Sequence, residues 1–508
     1  MKLIASLLFI AFLTPFKANS EIIVSDVPKI NIDYLGVYDE TSELSLGSNF
    51  WQNSLVIKNN LLMLTMSAPP ILDKEGDFLK QKVKLLYNMG DLKNTIKLIS
   101  LIPEDMNSEY YKELKYDSLM LSFYYRKTCK EIETDGSSSS YFDKLRVFCN
   151  LYQKKYDNAK LSLMIMREQQ IKGELFYSIA NAVIEKDKLI VEPEKASYLT
   201  PTILGLYRLN NQEFSLPLTS NTDIWILKNT FKNGKINFED KLKSAEILIS
   251  KGIISTEEFK EFIFKNKENS LKNEYLKKYI ETINTVDATD KTKMISEALS
   301  KALKENRFKP YALLYADKIK EIEPEASNIN YSYEFIASLL FAGEYEIASN
   351  WQKIAERESE VNEIAKKTAA TFAPLIKIIT GTGHYGSSSI ALKRYYDYKI
   401  EKQQIKESKV LSDIEYFVRF YQGFGIEQDS KVWLDKAIDL SKIESQEGVS
   451  ELITAVTEER ISDVLVIGLK EIKNNDNTII PFLGFLKKYD LKGELNDISV
   501  NLILERIL

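Results

Sequence analysis

Residues 342–355 read AGEYEIASNWQKIA, and this stretch decides the fold class. Gly343 supplies a turn, Tyr345 follows it, and the small Ala348 comes one helical turn after the tyrosine. A small residue at that place lets the second helix of a hairpin lie close against the first, and Ala355 repeats it two helical turns further on. The pattern predicts two helices joined by a tight turn.

The same pattern occurs twice more, in MGDLKNTIKLI (residues 89–99) and in KKYDNAKLSLMIM (residues 154–166). There Ala159 follows Tyr156 as Ala348 follows Tyr345. Helical periodicity runs from Asn49 onward. We therefore predict an all-α protein built from consecutive helical hairpins.

These hairpins resemble tetratricopeptide-type repeats, in which an alanine lies at the close contact between the two helices of a unit. The signatures do not recur at the period of about 34 residues typical of that family, and its W-x₂-L-G-x₂-Y opening is absent. The resemblance therefore implies an irregular α-solenoid. Before the helices, Pro28 and the alternation of Ile30 with Ile32 predict a short extended N-terminal arm. It also implies that the protein binds other proteins on its concave face.

Composition and turn residues divide the chain. Pro201 and Pro217 lie in a polar segment that interrupts the helical pattern, and this predicts a linker or long loop. The predicted organisation is a signal peptide (1–20), an extended arm (21–48), an N-terminal helical-repeat region (49–200), a linker or long loop (201–222) and a C-terminal helical-repeat region (223–508).

Three local signals place helix ends within the C-terminal region. Gly252 is predicted to end one helix in the left-handed conformation, and Ser255 with Glu258 to form a capping box that begins the next. Asp290 is predicted to cap the helix that contains Ile295.

The first residues, MKLIASLLFIAFLTPFKANSE, are typical of a secretory leader. Lys2 gives a basic start, an apolar run follows, and Ala18 and Ser20 are the small residues of a cleavage site before Glu21. Later segments contain no run of about 18 apolar residues, so we expect no stable membrane insertion. The sequence therefore predicts a periplasmic or secreted protein.

The charge and histidine content exclude several functions. Loss of Lys2 and Lys17 with the leader changes the formal net charge from −5 to −7, and no cluster of lysine and arginine favours nucleic acid. His384 is the single histidine, which excludes a zinc site with two histidines. It lies in GTGHYG (residues 381–386), which has the glycine spacing of a dinucleotide-binding turn. Because no second strand with an acidic residue follows, we interpret this segment as a flexible connection between helices.

Cys129 and Cys149 are the two cysteines of the chain. An even number of cysteines in an exported protein favours a disulfide, although two reduced, buried thiols are an alternative. Both residues lie in predicted helices, at levels that a simple antiparallel hairpin would offset. A bond therefore requires either that the first helix ends early or that the connector folds back along the second.

Aromatic residues cluster in KRYYDYK and YFVRFYQGFG. Aromatics at helical spacing are typical of core packing, but tyrosine and arginine are also good interface anchors. The candidate binding face consists of Arg394, Tyr395, Tyr398, Arg419 and Tyr421.

No catalytic, cofactor-binding or metal-ligating residue is assigned from the sequence. The function predicted is therefore a non-catalytic scaffold or adaptor that binds an envelope protein or peptide. The alternative is an enzyme that acts on envelope glycan, such as peptidoglycan, with a pair of carboxylates as a hydrolase or lyase. Glutamate–serine pairs resembling the catalytic segment of lytic transglycosylases occur at Glu358, Glu407 and Glu444, without the Gly-Leu-Met-Gln sequence of that family.

Overall fold

The computed structural model describes residues 77–102, 107–187, 193–210, 214–380, 388–426, 449–457, 464, 467–469 and 471–508. The predicted signal peptide (1–20), the extended arm (21–48) and the GTGHYG segment lie outside these residues.

The described chain is all α-helical, as predicted, and its β structure is limited to one isolated bridge between Phe214 and Ile236. Consecutive helices pack against each other in pairs, which gives a solenoid-like arrangement. The α-helices are α1 (Asp77–Asn88), α2 (Leu92–Ile99), α3 (Glu109–Leu121), α4 (Tyr125–Ile132), α5 (Ser140–Tyr152), α6 (Tyr156–Glu168), α7 (Glu174–Glu185), α8 (Pro201–Asn210), α9 (Ile224–Lys232), α10 (Phe238–Ser250), α11 (Thr256–Lys265), α12 (Lys267–Ser270), α13 (Glu274–Asn284), α14 (Ala288–Lys304), α15 (Phe308–Ile319), α16 (Ser332–Phe341), α17 (Tyr345–Glu358), α18 (Glu363–Thr380), α19 (Ser388–Glu401), α20 (Glu407–Gly423), α21 (Val449–Thr457), α22 (Ile479–Lys488) and α23 (Lys492–Ile507).

The hairpin of α16 and α17 has the predicted geometry. Gly343 has a positive φ of 76°, and the backbone N–H of Glu344 donates to the carbonyl of Leu339 at 2.8 Å, which closes the end of α16. Ala348 and Ala355 are fully buried. The small side chains at the helix contact are thereby confirmed.

Several other helix connections use the same left-handed turn. A residue with positive φ lies two positions before the next helix at Phe123 (62°), Lys154 (61°), Asn306 (56°) and Asp490 (56°), as well as at Gly90 (65°). In each case the following N–H bonds back to a carbonyl in the last turn of the helix, at 2.8–2.9 Å. The repeating feature of the fold is therefore a backbone turn, which glycine forms at some sites and other residues form elsewhere.

The linker predicted at residues 201–222 is wrong for its first half, because Pro201–Asn210 form α8. Helix α8 packs on α3, α5 and α7. Proline is tolerated at the first position of a helix, where its missing N–H would have no partner in any case. After the helix, Phe214, Leu216 and Leu218 are buried and belong to one core cluster that extends from Tyr87 to Ile507. The hydrophobic core thus continues through the predicted boundary.

The predicted helix caps are confirmed in part. Gly252 has a φ of 70°, and Ser255 and Glu258 form the expected capping box at the start of α11. The cap predicted at Asp290 is wrong. Asp287 is the N-cap of α14, and its carboxylate accepts the backbone N–H of Asp290 at 2.8 Å. The sequence does not show which of these two aspartates, one turn apart, is the N-cap, because an acidic side chain is favourable at both positions near a helix N-terminus.

Cys129 in α4 and Cys149 in α5 lie at disulfide distance, with 2.05 Å between their sulfurs, as predicted. Helix α4 ends at Ile132, soon after Cys129. The guanidinium of Arg146 donates to the carbonyl oxygens of Asp135 (3.2 Å) and Ser137 (2.5 Å). The connector therefore folds back along α5, which is one of the two routes that the sequence allowed.

Helix α23 packs back against α16, α18 and α20. The hydroxyl of Tyr345 donates to Asp497 at 2.9 Å, and the ammonium of Lys309 donates to the amide oxygen of Asn501 at 2.5 Å. Among the described helices none is long and apolar enough to cross a bilayer.

Candidate functional site

The five residues of the predicted binding face do not share one surface. Tyr395 and Tyr421 are 1% and 0% exposed, and Arg419 is also buried, whereas Arg394 is exposed and Tyr398 is half-buried. The prediction of one aromatic face is therefore wrong. Aromatic residues at helical spacing form core here because burial of each ring removes a large apolar area from water.

Arg419 and Tyr421 are held inside the fold by hydrogen bonds. The Tyr421 hydroxyl donates to the carbonyl of Pro374 at 3.2 Å. The Arg419 guanidinium donates to Asn477 Oδ1 and to Glu415 Oε1, both at 2.6 Å. Both side chains connect helices and are unavailable to a partner.

Tyr395 is part of a buried polar network. Its hydroxyl donates to Asp413 Oδ2 at 3.0 Å, and Arg506 Nε donates to Asp413 Oδ1, also at 3.0 Å. Burial, followed by the charge of Asp413, raises the pKa of Tyr395. The tyrosine therefore remains a neutral donor, and both carboxylate oxygens of Asp413 are engaged.

Lys399 lies next to this network without an ion pair of its own. Its side chain is 7% exposed, and its ammonium is 5.3 Å from the centre of the Tyr395 ring. Within the described part of the chain, no carboxylate lies within 4.0 Å of its nitrogen. Burial lowers the pKa of Lys399; Asp413 opposes this effect and Lys367 adds to it.

Lys367, on α18, is the second cation at this place. Its ammonium lies 3.6 Å from the centre of the Tyr333 ring, and burial lowers its pKa. Tyr333 is close enough to Tyr395 and to Tyr398 to interact electrostatically with both. We call Tyr333, Lys367, Tyr395, Tyr398 and Lys399 the Lys367–Lys399 cluster.

Helix packing explains why these residues meet. Helices α18 and α19 pack together, so the first turns of α18 lie beside the last turns of α19. The start of α16 joins them through a 3.0 Å hydrogen bond between the hydroxyls of Ser332 and Thr368. Three helices thus bring two ammonium groups and three phenols together at one end of the hairpins.

The two lysines of the cluster would interact favourably with an anionic group. Partial burial and mutual repulsion make the charged form of each lysine unfavourable. An anion that contacts both ammonium groups would offset these two effects. Lys367 and Tyr398 are half-buried, so solvent reaches the cluster at these residues.

The sequence interpretation missed Tyr333, Lys367 and Lys399. Lys399 follows Tyr395 by one helical turn, so it lies on the same buried face, and this spacing is a usable signal. Lys367 and Tyr333 come from other helices, and no local pattern marks them.

Asp117 is a second unusual group. Its carboxylate accepts hydrogen bonds from Tyr141 (2.9 Å) and Tyr87 (3.4 Å). Burial raises its pKa to about 7, and the pKa of Glu113, one helical turn before it, is also raised by burial. Asp117 is therefore a carboxyl group that can hold a proton near neutral pH.

The glutamate–serine pairs do not form a common site. Glu358 accepts a bond from its neighbour Arg357 at 3.0 Å, and Glu407 accepts the Tyr396 hydroxyl at 2.6 Å. Glu444 lies outside the described residues. Among the residues that the structure describes, no group of histidine, cysteine, aspartate and glutamate side chains is arranged to hold a metal ion.

Comparison with known proteins gives no relative. No family model, no curated protein and no solved structure matches the chain.

Proposed function

We propose that this protein is an exported, non-catalytic helical-repeat adaptor of the tetratricopeptide type that binds an envelope protein or peptide. The observation that carries the proposal is Lys399. It is a lysine more than nine-tenths buried without an ion pair, beside a second half-buried lysine. Side chains that are costly to keep in the folded protein are concentrated at functional sites.

The hairpin architecture supports a binding function. Stacked helical hairpins present extended surfaces, and the best-known use of such surfaces is to hold another chain. The cluster lies where α16, α18 and α19 meet, so a partner that reaches it also contacts more than one hairpin.

One finding supports an extracytoplasmic location. The cysteine pair lies at disulfide distance, and such bonds persist in oxidising compartments. The cleavage near Ser20 and Glu21 remains a prediction, and N-terminal sequencing of the protein from its native host tests it.

A crosslinking experiment tests the binding function. The tagged protein is crosslinked in envelope of its native host and purified, in parallel with the variants Lys399→Met and Lys393→Met. Lys393 is a matched control because it lies on the same helix but is exposed and paired with Asp397 at 2.9 Å. We expect one envelope protein to be recovered with the wild type and the Lys393 variant and lost with the Lys399 variant. Equal recovery with all three would contradict the proposal.

Asp117 favours a second candidate, an enzyme that cleaves envelope glycan. A carboxyl group protonated near neutral pH is what a general acid requires, and Glu113 supplies a second carboxylate on the same helix. Release of soluble fragments from purified peptidoglycan, abolished in Asp117→Asn, would support this candidate. The absence of release at pH 5–8 would reject it.

A further inference from the structure

The charge of Lys399 costs the folded protein stability. A cation–π contact offsets little of this cost, because the 5.3 Å distance to the Tyr395 ring lies near the outer limit of about 6 Å for such contacts. Burial of an unpaired ammonium removes it from water without a compensating charge, which destabilises the folded state. Asp413 attracts the lysine, but Arg506 already occupies that carboxylate at 3.0 Å. Packing alone therefore does not account for a lysine at this position.

Lys367 completes the arrangement. It is held over the Tyr333 ring at 3.6 Å, within the electrostatic range of Lys399, and it repels Lys399. Among the described residues, neither ammonium group has a carboxylate within 4.0 Å, so the two like charges together favour an anion at this place. The tyrosine hydroxyls nearby are neutral and can donate hydrogen bonds to one.

The surrounding charges restrict the anion. The groups that face the cluster from the packed helices are Glu334 on α16, Glu363 on α18, Lys409 and Asp413 on α20, and Arg506 on α23. Three of these are carboxylates, which repel a doubly charged phosphate more than a singly charged carboxylate. The balance favours one negative charge between the two lysines.

We infer that the Lys367–Lys399 cluster binds the carboxylate of a peptide, which enters past Lys367 and Tyr398 and ends against Lys399. The inference rests on the proposed function, because it takes the ligand to be a peptide. The carboxylate can come from a chain terminus or from an aspartate or glutamate side chain, and both present the same planar anion.

The test measures protection of lysines from acetylation. The full protein is treated with a water-soluble acetylating ester, and modification of Lys367, Lys399 and the exposed reference Lys393 is followed by mass spectrometry. The probes are acetyl-trialanine with a free carboxylate, acetyl-trialanine amide, acetyl-Ala-Glu-Ala amide and inorganic phosphate. Acetyl-Ala-Glu-Ala amide separates a side-chain carboxylate from a terminal one.

We expect a free carboxylate to slow acetylation of Lys367 and Lys399 at least about threefold relative to Lys393, and trialanine amide to have no effect. The affinity of the protecting peptide, measured by calorimetry, should fall roughly tenfold or more in Lys399→Met and in Lys367→Met, because each removes a charge-assisted hydrogen bond. Lys393→Met should bind normally, and melting curves show whether each variant is folded. Should a variant fail to fold, protection in the wild type decides alone.

Equal protection by phosphate, or no protection by either carboxylate peptide, overturns the inference. The two proposals fail separately. If Lys399→Met loses the crosslinked envelope protein but carboxylates give no protection, the adaptor function stands and the carboxylate assignment is wrong. If carboxylates protect but no partner is recovered, the site stands and the adaptor function is wrong.

Discussion

Reduction of the disulfide between Cys129 and Cys149 should loosen one hairpin by a calculable amount. The bond joins residues separated by 20 positions. In the chain-entropy model, closure of a loop of about this size stabilises the folded state by roughly 3 kcal/mol, because it restricts the unfolded chain. Both cysteines are buried, at 1% and 4% exposure, so reduction at equilibrium requires local opening and then leaves two small apolar side chains in place.

Hydrogen exchange measured on oxidised and reduced protein at the same pH is the suitable assay, since a helical array does not have to unfold in one step. About 3 kcal/mol corresponds to roughly a hundredfold faster exchange. We expect this acceleration in α4 and α5 and little change in α19 and α20, which serve as the internal control.

The contrary result is also informative. Arg146 bonds to the carbonyls of Asp135 and Ser137, so the connector has native contacts that survive reduction. If exchange in α4 and α5 accelerates less than about threefold, these contacts are sufficient and the entropic reasoning is refuted.

Four further outcomes are expected. Ser255→Ala should lower the free energy of unfolding by about 1 kcal/mol relative to the wild type in urea titrations, because it removes a capping hydrogen bond. Ala348→Leu should destabilise the folded protein by roughly 1–3 kcal/mol through overpacking at a fully buried site. Ala348→Gly adds no side-chain volume, so the two helices of the hairpin should remain equally close in that variant. Lys399→Met should raise the melting temperature, with a gain of about 1 kcal/mol or more, and a loss would show that attraction to other groups dominates. The pKa of Asp117 is raised from 3.8 to about 7 in the folded protein, so its contribution to stability is complete below pH 3.8 and is lost as pH rises through about 7. In thermal melts, the melting temperature of Asp117→Asn should therefore rise relative to that of the wild type as the pH increases from 4 to 7.

The hairpins could be predicted from the sequence because a small residue at a helix contact is a strong local requirement. Ala159 and Ala348 are both fully buried, as their positions indicated. The left-handed turns were recognisable where glycine forms them, as at Gly90 and Gly343. At Lys154 and similar positions the side chain pays the steric cost of a positive φ, of order 1 kcal/mol, and packing of the two helices offsets it.

The middle of the chain shows the limit of composition. Pro201 and Pro217 were interpreted as signs of a linker, yet Pro201 begins a helix and Pro217 lies exposed between two buried leucines. Proline restricts a backbone without indicating whether the segment is buried. Tertiary packing of α8 on three other helices decided the outcome.

The candidate site was only partly accessible from the sequence. The sequence analysis selects Tyr395 and Tyr398 as aromatic anchors, and both belong to the cluster, but it does not select the buried Lys399. Its position one helical turn after Tyr395 indicates that it lies on the same buried face of the helix. Tyr333 and Lys367 join it only through the packing of α16 and α18 against α19, which no local pattern encodes.

The return of α23 to the middle of the solenoid has a consequence for the order of folding. Lys309 and Asn501 bond across a sequence separation of 192 residues, whereas the hairpins form between neighbours in the chain. A ribosome therefore completes α15 to α17 long before it synthesises α23, which packs on them. At about 5–20 residues per second, this delay is on the order of ten seconds or more. During that interval the apolar side of α16 is a surface on which a chaperone can act, and premature termination before Lys492 would leave it open permanently.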